Sequence, residues 1–329
     1  MGIKHLNKYL RNNCPDMIRS IQISELSGKK IAVDISIYLY KYEAEGALLE
    51  NMYLLLSILR YYSIIPIFIF DGKPPVEKNA LIQKRATNKV DAETEYKMLK
   101  EKLKDETNEE NRQEIIEYMD QLKKKIIYIT KEKTEKVKEL IRNYGATYYD
   151  APREADELCA MLVINKVVWA CLSEDMDMFV YGCTRVIRYF SLMNHTGILY
   201  YTKGILEELE LTQNEFREIC VLSGTDYNIE HSKNINIFVI MKYYKKYKDI
   251  FKNADANAVS VSTSTKFYEW LNDTTDITID LDLIAKINDM FTIKKQKHLE
   301  DYKKVSITNT TINYSGLEDI LKDDWFIFV

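Results

Sequence analysis

Five short apolar runs punctuate a chain that is otherwise densely polar. They span residues 29–34, 64–70, 147–149, 167–172 and 186–190. Each is near-continuous rather than alternating and is bounded by turn or charged residues, which predicts strands buried on both faces. Helical periodicity fills the intervals. It is read over residues 3–12, 35–42, 51–62 and 213–223, and again within 228–247, which starts polar and ends basic at Lys242, Lys245, Lys246 and Lys248. Strands alternating with helices predict an α/β fold, a parallel sheet with helices on both faces. The run Gly72-Lys73-Pro74-Pro75 stops the second strand. Residues 76–143 carry a helical pattern with both charge signs and few large apolar positions before Ile126, which predicts a solvated helical projection. Residues 253–265, rich in Asn, Ala, Ser and Thr, are predicted as a loop.

Composition narrows this picture modestly. The 329 residues, 46% hydrophobic, suffice for one large domain or two small ones. A net charge of −4 gives no global basic field, which argues mildly against a nucleic-acid partner, although a carboxylate-rich site would itself depress the total. Five Cys without metal-type spacing predict free thiols in a reducing compartment, and four His are too few for a His-rich metal centre. No apolar run reaches membrane-spanning length.

Where the acidic residues fall changes the picture more. Asp34 and Asp71 end strand-like runs, Asp175 and Asp177 follow another, and Glu154 and Asp156 lie just past a fourth, where a helix begins. Asp226 stands in a Gly-Thr-Asp-Tyr turn. A lone Asp at such a junction is ordinarily a helix cap. A whole set on one edge of one sheet is poorly explained that way, because crowded carboxylates repel unless protons or cations neutralise them. In open parallel sheets the site lies outside the carboxyl ends of the strands. Hard oxygen ligands suit Mg²⁺ or Mn²⁺, and carboxylates converging from separate elements suit metal-assisted phosphodiester hydrolysis.

The motifs then become specific. Met1-Gly2-Ile3 opens the chain, followed by Val33-Asp34-Ile35-Ser36 with Tyr40 close behind. Next come Phe70-Asp71-Gly72-Lys73-Pro74-Pro75, Lys78 and Lys84-Arg85. Asp150-Ala151-Pro152-Arg153-Glu154-Ala155-Asp156, Glu174-Asp175-Met176-Asp177 and Gly224-Thr225-Asp226-Tyr227 complete the series. In this order the chain resembles the flap endonucleases of the structure-specific 5′ nuclease family (XPG-like, PIN-like) over roughly residues 1–230. The resemblance implies a PIN-like parallel sheet with a mixed edge, a helical arch inserted into it, and a degenerate helix–two-turn–helix region. It implies a division into residues 1–75 and 141–250 as two parts of a nuclease domain, 76–140 as arch and cap, and 251–329 as a region without an assigned fold.

Roles follow from the same resemblance. Asp34, Asp71, Glu154 and Asp156 would surround one Mg²⁺, and Asp175, Asp177 and Asp226 a second, with Mn²⁺ as a substitute. Asp156 stands where the family carries Glu. Lys78 and Arg85 would grip the scissile phosphate as catalytic cations, and Tyr40 would stack on a terminal base. Gly2, Gly224, Glu154 and Asp226 would lie against DNA. Lys123, Lys124, Lys125, Lys131 and Lys133 could meet phosphates or simply form a solvated face. The implied activity is 5′ flap endonuclease and 5′→3′ exonuclease on branched DNA, in Okazaki-fragment maturation and base-excision repair, by a monomer in the nucleus, with the mitochondrion as a second compartment. A 5′→3′ exonuclease on DNA ends or RNA, and a non-catalytic DNA-binding relative, stand as alternatives.

Three departures from the family qualify these expectations. The segment after Tyr40 is short, which removes room for a wedge and a 3′-flap pocket, and Leu55 stands where the family tends to carry an Arg on DNA. The glycine-rich turn of the helix–two-turn–helix is replaced by Lys233-Asn234-Ile235-Asn236-Ile237, which places downstream duplex binding and its K⁺ dependence in question. The end of the chain, with Asp319, Lys322 and the pair Trp325-Phe326, is only reminiscent of a peptide for the PCNA sliding clamp.

Overall fold

The computed structural model describes residues 2–105, 107–228, 235–255, 267–275, 277 and 279–322. Its centre is a seven-stranded sheet: β1 (Ile18–Gln22), β2 (Lys30–Asp34), β3 (Ile65–Phe70), β4 (Thr147–Asp150), β5 (Ala170–Leu172), β6 (Arg185–Ser191) and β7 (Thr196–Tyr201), in the order β1-β7-β6-β5-β2-β3-β4. Strands β2 to β6 run parallel, while β7 is antiparallel to β6 and β1 antiparallel to β7. The expected parallel sheet with a mixed edge is thus present. The predicted run 167–172 is strand only in its last three residues, because Val167 and Val168 are still bonded back to the preceding helix through the Leu162 carbonyl. β1 escapes a search for continuous apolar runs because only Ile21 of its five residues is buried; β7 carries the contiguous apolar residues Ile198, Leu199, Tyr200 and Tyr201 and was missed all the same.

Strand side chains alternate between two cores. Ala32, Ile67, Ile69, Cys171 and Val186 face one, and Ile31, Val33, Phe68, Phe70, Leu172 and Ile187 face the other. The first core is closed by α1 (Leu6–Asn13), and then by later helices described below. The second is closed by α2 (Ser36–Ala44) and α3 (Leu48–Tyr61). Leu55, on α3, is fully buried there. Residues 76–140, expected to form an arch, contain α4 (Asn79–Asp105) and α5 (Glu109–Lys125), packed on each other through Ala92, Ile115, Met119 and Leu122. Asn108 caps α5 by accepting the Asn111 N–H at 3.1 Å. α6 (Lys131–Asn143) returns to the second core.

α7 (Ala155–Ile164) lies against β2, β3 and β5 and is buried along nearly its whole length, with Ala155, Cys159 and Ala160 allowing close approach. α8 (Asp177–Tyr181), α9 (Thr202–Glu208), α10 (Gln213–Leu222) and α11 (Ile237–Asp255) follow on the same side. Residues 253–255, expected in a loop, belong to α11; the rest of that segment, with residues 233, 234 and 323–329, lies outside the described residues. Asn236 caps α11, its Oδ1 accepting the Phe238 N–H at 3.0 Å.

The C-terminal region acquires a definite path. After α12 (Phe267–Thr274) and α13 (Leu281–Met290), an extended stretch runs back past β4. Thr310 N–H donates to the Gly145 carbonyl at 2.8 Å and Asn313 N–H to the Asn143 carbonyl at 2.8 Å, before α14 (Tyr314–Lys322) packs on α6. Leu55→Ala is expected to lower unfolding stability by about 2–5 kcal/mol, as truncation of a closed core site does. Urea denaturation monitored by circular dichroism checks this; a loss below half a kcal/mol, roughly the scale of a surface change, would contradict the placement.

Candidate active site

Adjacent parallel strands deliver the acidic residues to one edge. Asp34 is the last residue of β2, Asp71 follows β3, and Asp175 and Asp177 follow β5. β2 pairs with β3 on one side and β5 on the other, so their carboxyl ends coincide. Glu154 occupies the N-cap position of α7 and Asp156 lies in its first turn. Asp226 arrives from the turn after α10, where Gly224 holds φ at +102°.

The fold fixes most of these side chains individually. Asp34 is buried and accepts the Ser173 hydroxyl at 2.8 Å. Asp71 accepts the Ser36 hydroxyl and, at 2.8 Å, the Ala155 N–H, so it sits at the positive end of α7. Asp175 Oδ1 accepts the Asp177 N–H at 3.0 Å, and Asp156 Oδ1 the Glu157 N–H at 2.6 Å. Glu154 is ion-paired with Lys78 and accepts the Tyr227 hydroxyl at 2.5 Å. Asp226 is paired with Arg85 at 3.2 Å. Asp177 is only 3% exposed, and its buried Oδ1 has no hydrogen-bond partner among the described residues. A buried carboxylate oxygen left so is costly unless a proton or cation meets it.

Electrostatics ties the set together. Burial, then the charge of Asp71, pushes the Asp34 carboxyl up to about 7. Burial, then Glu154 and, more weakly, Asp175 and Asp177, raises Asp156 well above the carboxylate range. Burial, then Asp175, Asp226 and Glu154, does the same to Asp177. Asp175 is raised by burial, and Asp226 adds to the rise. Every one of the seven carboxylates therefore acts on another. For Lys78, burial works to lower the pKa, but Glu154, Asp156 and Asp226 outweigh it and the ammonium is held protonated more firmly than usual.

The donors are oxygen only, which suits a hard divalent ion. The unpartnered Asp177 oxygen and the tight approach of Gly2 agree with such a use. A Cβ at Gly2, whose φ is +73°, would fall 2.4 Å from Oδ1 of both Asp175 and Asp177, so only glycine fits. Among the described residues no three acidic groups stand close enough to hold an ion without adjustment. Mutual repulsion and the pairing of Glu154 and Asp226 with cations account for that spread.

Tyr40 projects from α2 with its ring 46% exposed. Of the lysines expected near phosphates, Lys133 is tied to Glu43 and Lys123 to Asp120. Sequence reasoning overlooked several supports. Ser36 and Tyr227 stood inside the quoted motifs, so their proximity to Asp71 and Glu154 could have been inferred. Ser173 carried no signal. Neither did the pair of buried Glu157 with His298, 2.8 Å apart, which ties the C-terminal region to α7.

Comparison with known proteins agrees with this geometry. Residues 1–92 match the XPG N-terminal domain and residues 145–226 the XPG I-region. The computed structure superposes on the catalytic core of Rad2 in complex with DNA substrate with a TM-score of 0.66 at 20% identity, covering 98% of this chain and 95% of that one. It superposes on flap endonuclease-1 from Methanococcus jannaschii with a TM-score of 0.59 at 22% identity, covering 94% and 91%. These likenesses define the class by fold: a PIN-like nuclease of the XPG type. Flap endonuclease 1 of Glossina morsitans morsitans is 31% identical over 79% of this chain and 71% of its own length, and that of Danio rerio 30% identical over 78% and 70%. The chain belongs to the flap endonuclease family of DNA-cutting hydrolases.

The raised carboxyls give a pH signature. Asp34, Asp156 and Asp177 bind protons more tightly folded than unfolded, so their stabilisation is complete below the ordinary carboxylate range and is lost as pH rises, for Asp34 through about 7. At Glu215 burial raises the pKa, but hydrogen bonds from Tyr244 and Thr212 outweigh it and hold the carboxyl at about 2; that contribution is lost only in acid, outside this window. In chelator, the thermal midpoint is expected to fall between about pH 5 and about pH 8. Asp34→Asn should flatten the slope; a midpoint that rises over that interval would contradict the assignment.

Proposed function

We propose that this chain is a structure-specific 5′ flap endonuclease with 5′→3′ exonuclease activity that hydrolyses phosphodiesters of branched DNA. The observation that carries the reading is the meeting of seven mutually repelling carboxylates, from five chain segments, at the carboxyl edge of the sheet. A binding scaffold gains nothing from burying so much like charge. Asp34, Asp71, Glu154 and Asp156 would hold one Mg²⁺ and Asp175, Asp177 and Asp226 another, Mn²⁺ being an alternative. Bound there, the ions would supply activation of water and stabilisation of the leaving oxygen in an in-line displacement.

The chain's own residues would do the rest. Lys78 and Arg85, which now neutralise Glu154 and Asp226, would turn to the non-bridging oxygens of the scissile phosphate. Gly2 and Gly224 would keep the backbone low, so that the strand can approach. Tyr40 would stack on the terminal base. Residues 76–140, built on α4 and α5, would form the arch over a free 5′ strand, between the two parts of the nuclease domain at 1–75 and 141–250. α2 ends at Ala44 and α3 starts at Leu48. So short a link leaves little for a wedge, and favours weak discrimination between double-flap DNA and simpler 5′ overhangs. Family membership supports work in replication and repair in the nucleus, by a monomer; the Trp325-Phe326 pair is the sole support for a clamp partner.

Cleavage of a labelled double-flap duplex in Mg²⁺, beside a nicked duplex without a flap, tests this. Asp177→Ala is expected to abolish flap cleavage while the variant still binds the flap. If wild type and variant prove equally inert, the non-catalytic reading wins. Lys78→Met is expected to lower kcat by about 10²–10³, the effect of removing one positioned stabilising charge. A change confined to KM would place Lys78 in binding alone.

A further inference from the structure

One arrangement beside the site is not used by that mechanism. Lys89 lies one helical turn after Arg85 on the same face of α4. Its Nζ sits over two aromatic rings at once: 5.2 Å from the ring centre of Tyr40 and 4.7 Å from that of Tyr128. Tyr40 belongs to α2, and Tyr128 to the linker between α5 and α6. The same Nζ donates to the Ile127 carbonyl at 2.7 Å. Tyr40 and Tyr128 are both about half exposed, 46% and 48%.

Stacked aromatic pairs keep their centres about 4.5–7 Å apart. A planar base centred where the ammonium now sits would be in stacking range of both rings. We propose that Tyr128 is a second stacking wall opposite Tyr40, and that the slot between them, filled in the free protein by the Lys89 ammonium, receives one unpaired nucleobase of the 5′ strand. The proposal rests on the flap-endonuclease reading, and makes Tyr128 a substrate-positioning residue. Lys89 is a displaceable occupant. Burial, and then the neighbouring charge of Arg85, already disfavour its charged form there. A long flexible side chain can also swing outward, where phosphates of the same strand would compensate it. The competing reading is a brace, in which Lys89 merely joins α2, α4 and the linker.

Binding of the full chain to a 5′-flap duplex in chelator separates the two, with flap nucleotides replaced one at a time by abasic residues. For wild type, loss of the base at one flap nucleotide is expected to weaken binding about tenfold, the scale of base–aromatic stacking. Tyr128→Leu should shrink that penalty to about threefold at the same nucleotide, and Tyr40→Leu with Tyr128→Leu should remove it. Thermal midpoints of the variants are compared so that loss of folding is recognised. If Tyr128→Leu keeps the full penalty, Tyr40 stacks alone and the slot is refuted. If it weakens intact and abasic flaps equally, Tyr128 is a brace and the slot is likewise refuted. If wild type binds no flap at all, the functional reading beneath the proposal fails with it.

Discussion

Like charges forced together out of water set the terms for this molecule. Asp34, Asp156 and Asp177 are each less than a tenth exposed, and each feels at least one other carboxylate. Burial and repulsion both favour the proton, so the folded chain carries a standing cost at neutral pH that only cations or protons relieve. Lys78 and Arg85 relieve part of it at Glu154 and Asp226. The buried Oδ1 of Asp177 is left unrelieved. Groups arranged against their own stability in this way are the observation on which the proposed function rests.

The scaffold keeps the carboxylates from separating. β2, β3 and β5 are neighbours in register, so their ends cannot slide apart without breaking the sheet. α7 is buried among small side chains against those strands, which fixes Glu154 and Asp156 relative to Asp34. Its first N–H is spent on Asp71. Glu157 and His298 then pin the C-terminal region to the far side of the same helix, and the stretch that runs on past β4 to α14 closes the second core. The C-terminal region therefore serves the site indirectly, by leaving α7 no room to shift.

The two helices α4 and α5 obey a different balance. α4 and α5 bury only a thin seam, and polar links tie the start of α4 to the body: Lys78, just before it, to Glu154, and Arg85, on it, to Asp226. Polar links exchange readily for other polar partners, whereas a packed core does not. Lys78 and Arg85, now paired with carboxylates, are therefore the side chains that the proposed function turns to a phosphate, and the proposed slot at Lys89 follows the same logic with a base.

How far the chain could be read in advance depended on whether a feature was local. The interior strands and the acidic residues at their ends were legible, because a strand buried on both faces must be apolar throughout and its flanking carboxylate stands out. The motifs around Asp34, Asp71, Glu154, Asp175 and Asp226 were contiguous, so their association with one site could be inferred. β1 was not legible, since this edge strand hides a single buried residue among polar ones, and the interior strand β7 was missed although Ile198 to Tyr201 form an apolar run. Nor could the sequence assign Ser173 to Asp34, His298 to Glu157, or Tyr128 to the ring of Tyr40 through Lys89. Those pairings join residues far apart along the chain, and no local pattern encodes them. Covalent sequence determined which side chains carry charge and which runs must be buried; only packing of the sheet and helices decided which charges face one another, because that is a matter of distance, and distance is fixed by the whole fold at once.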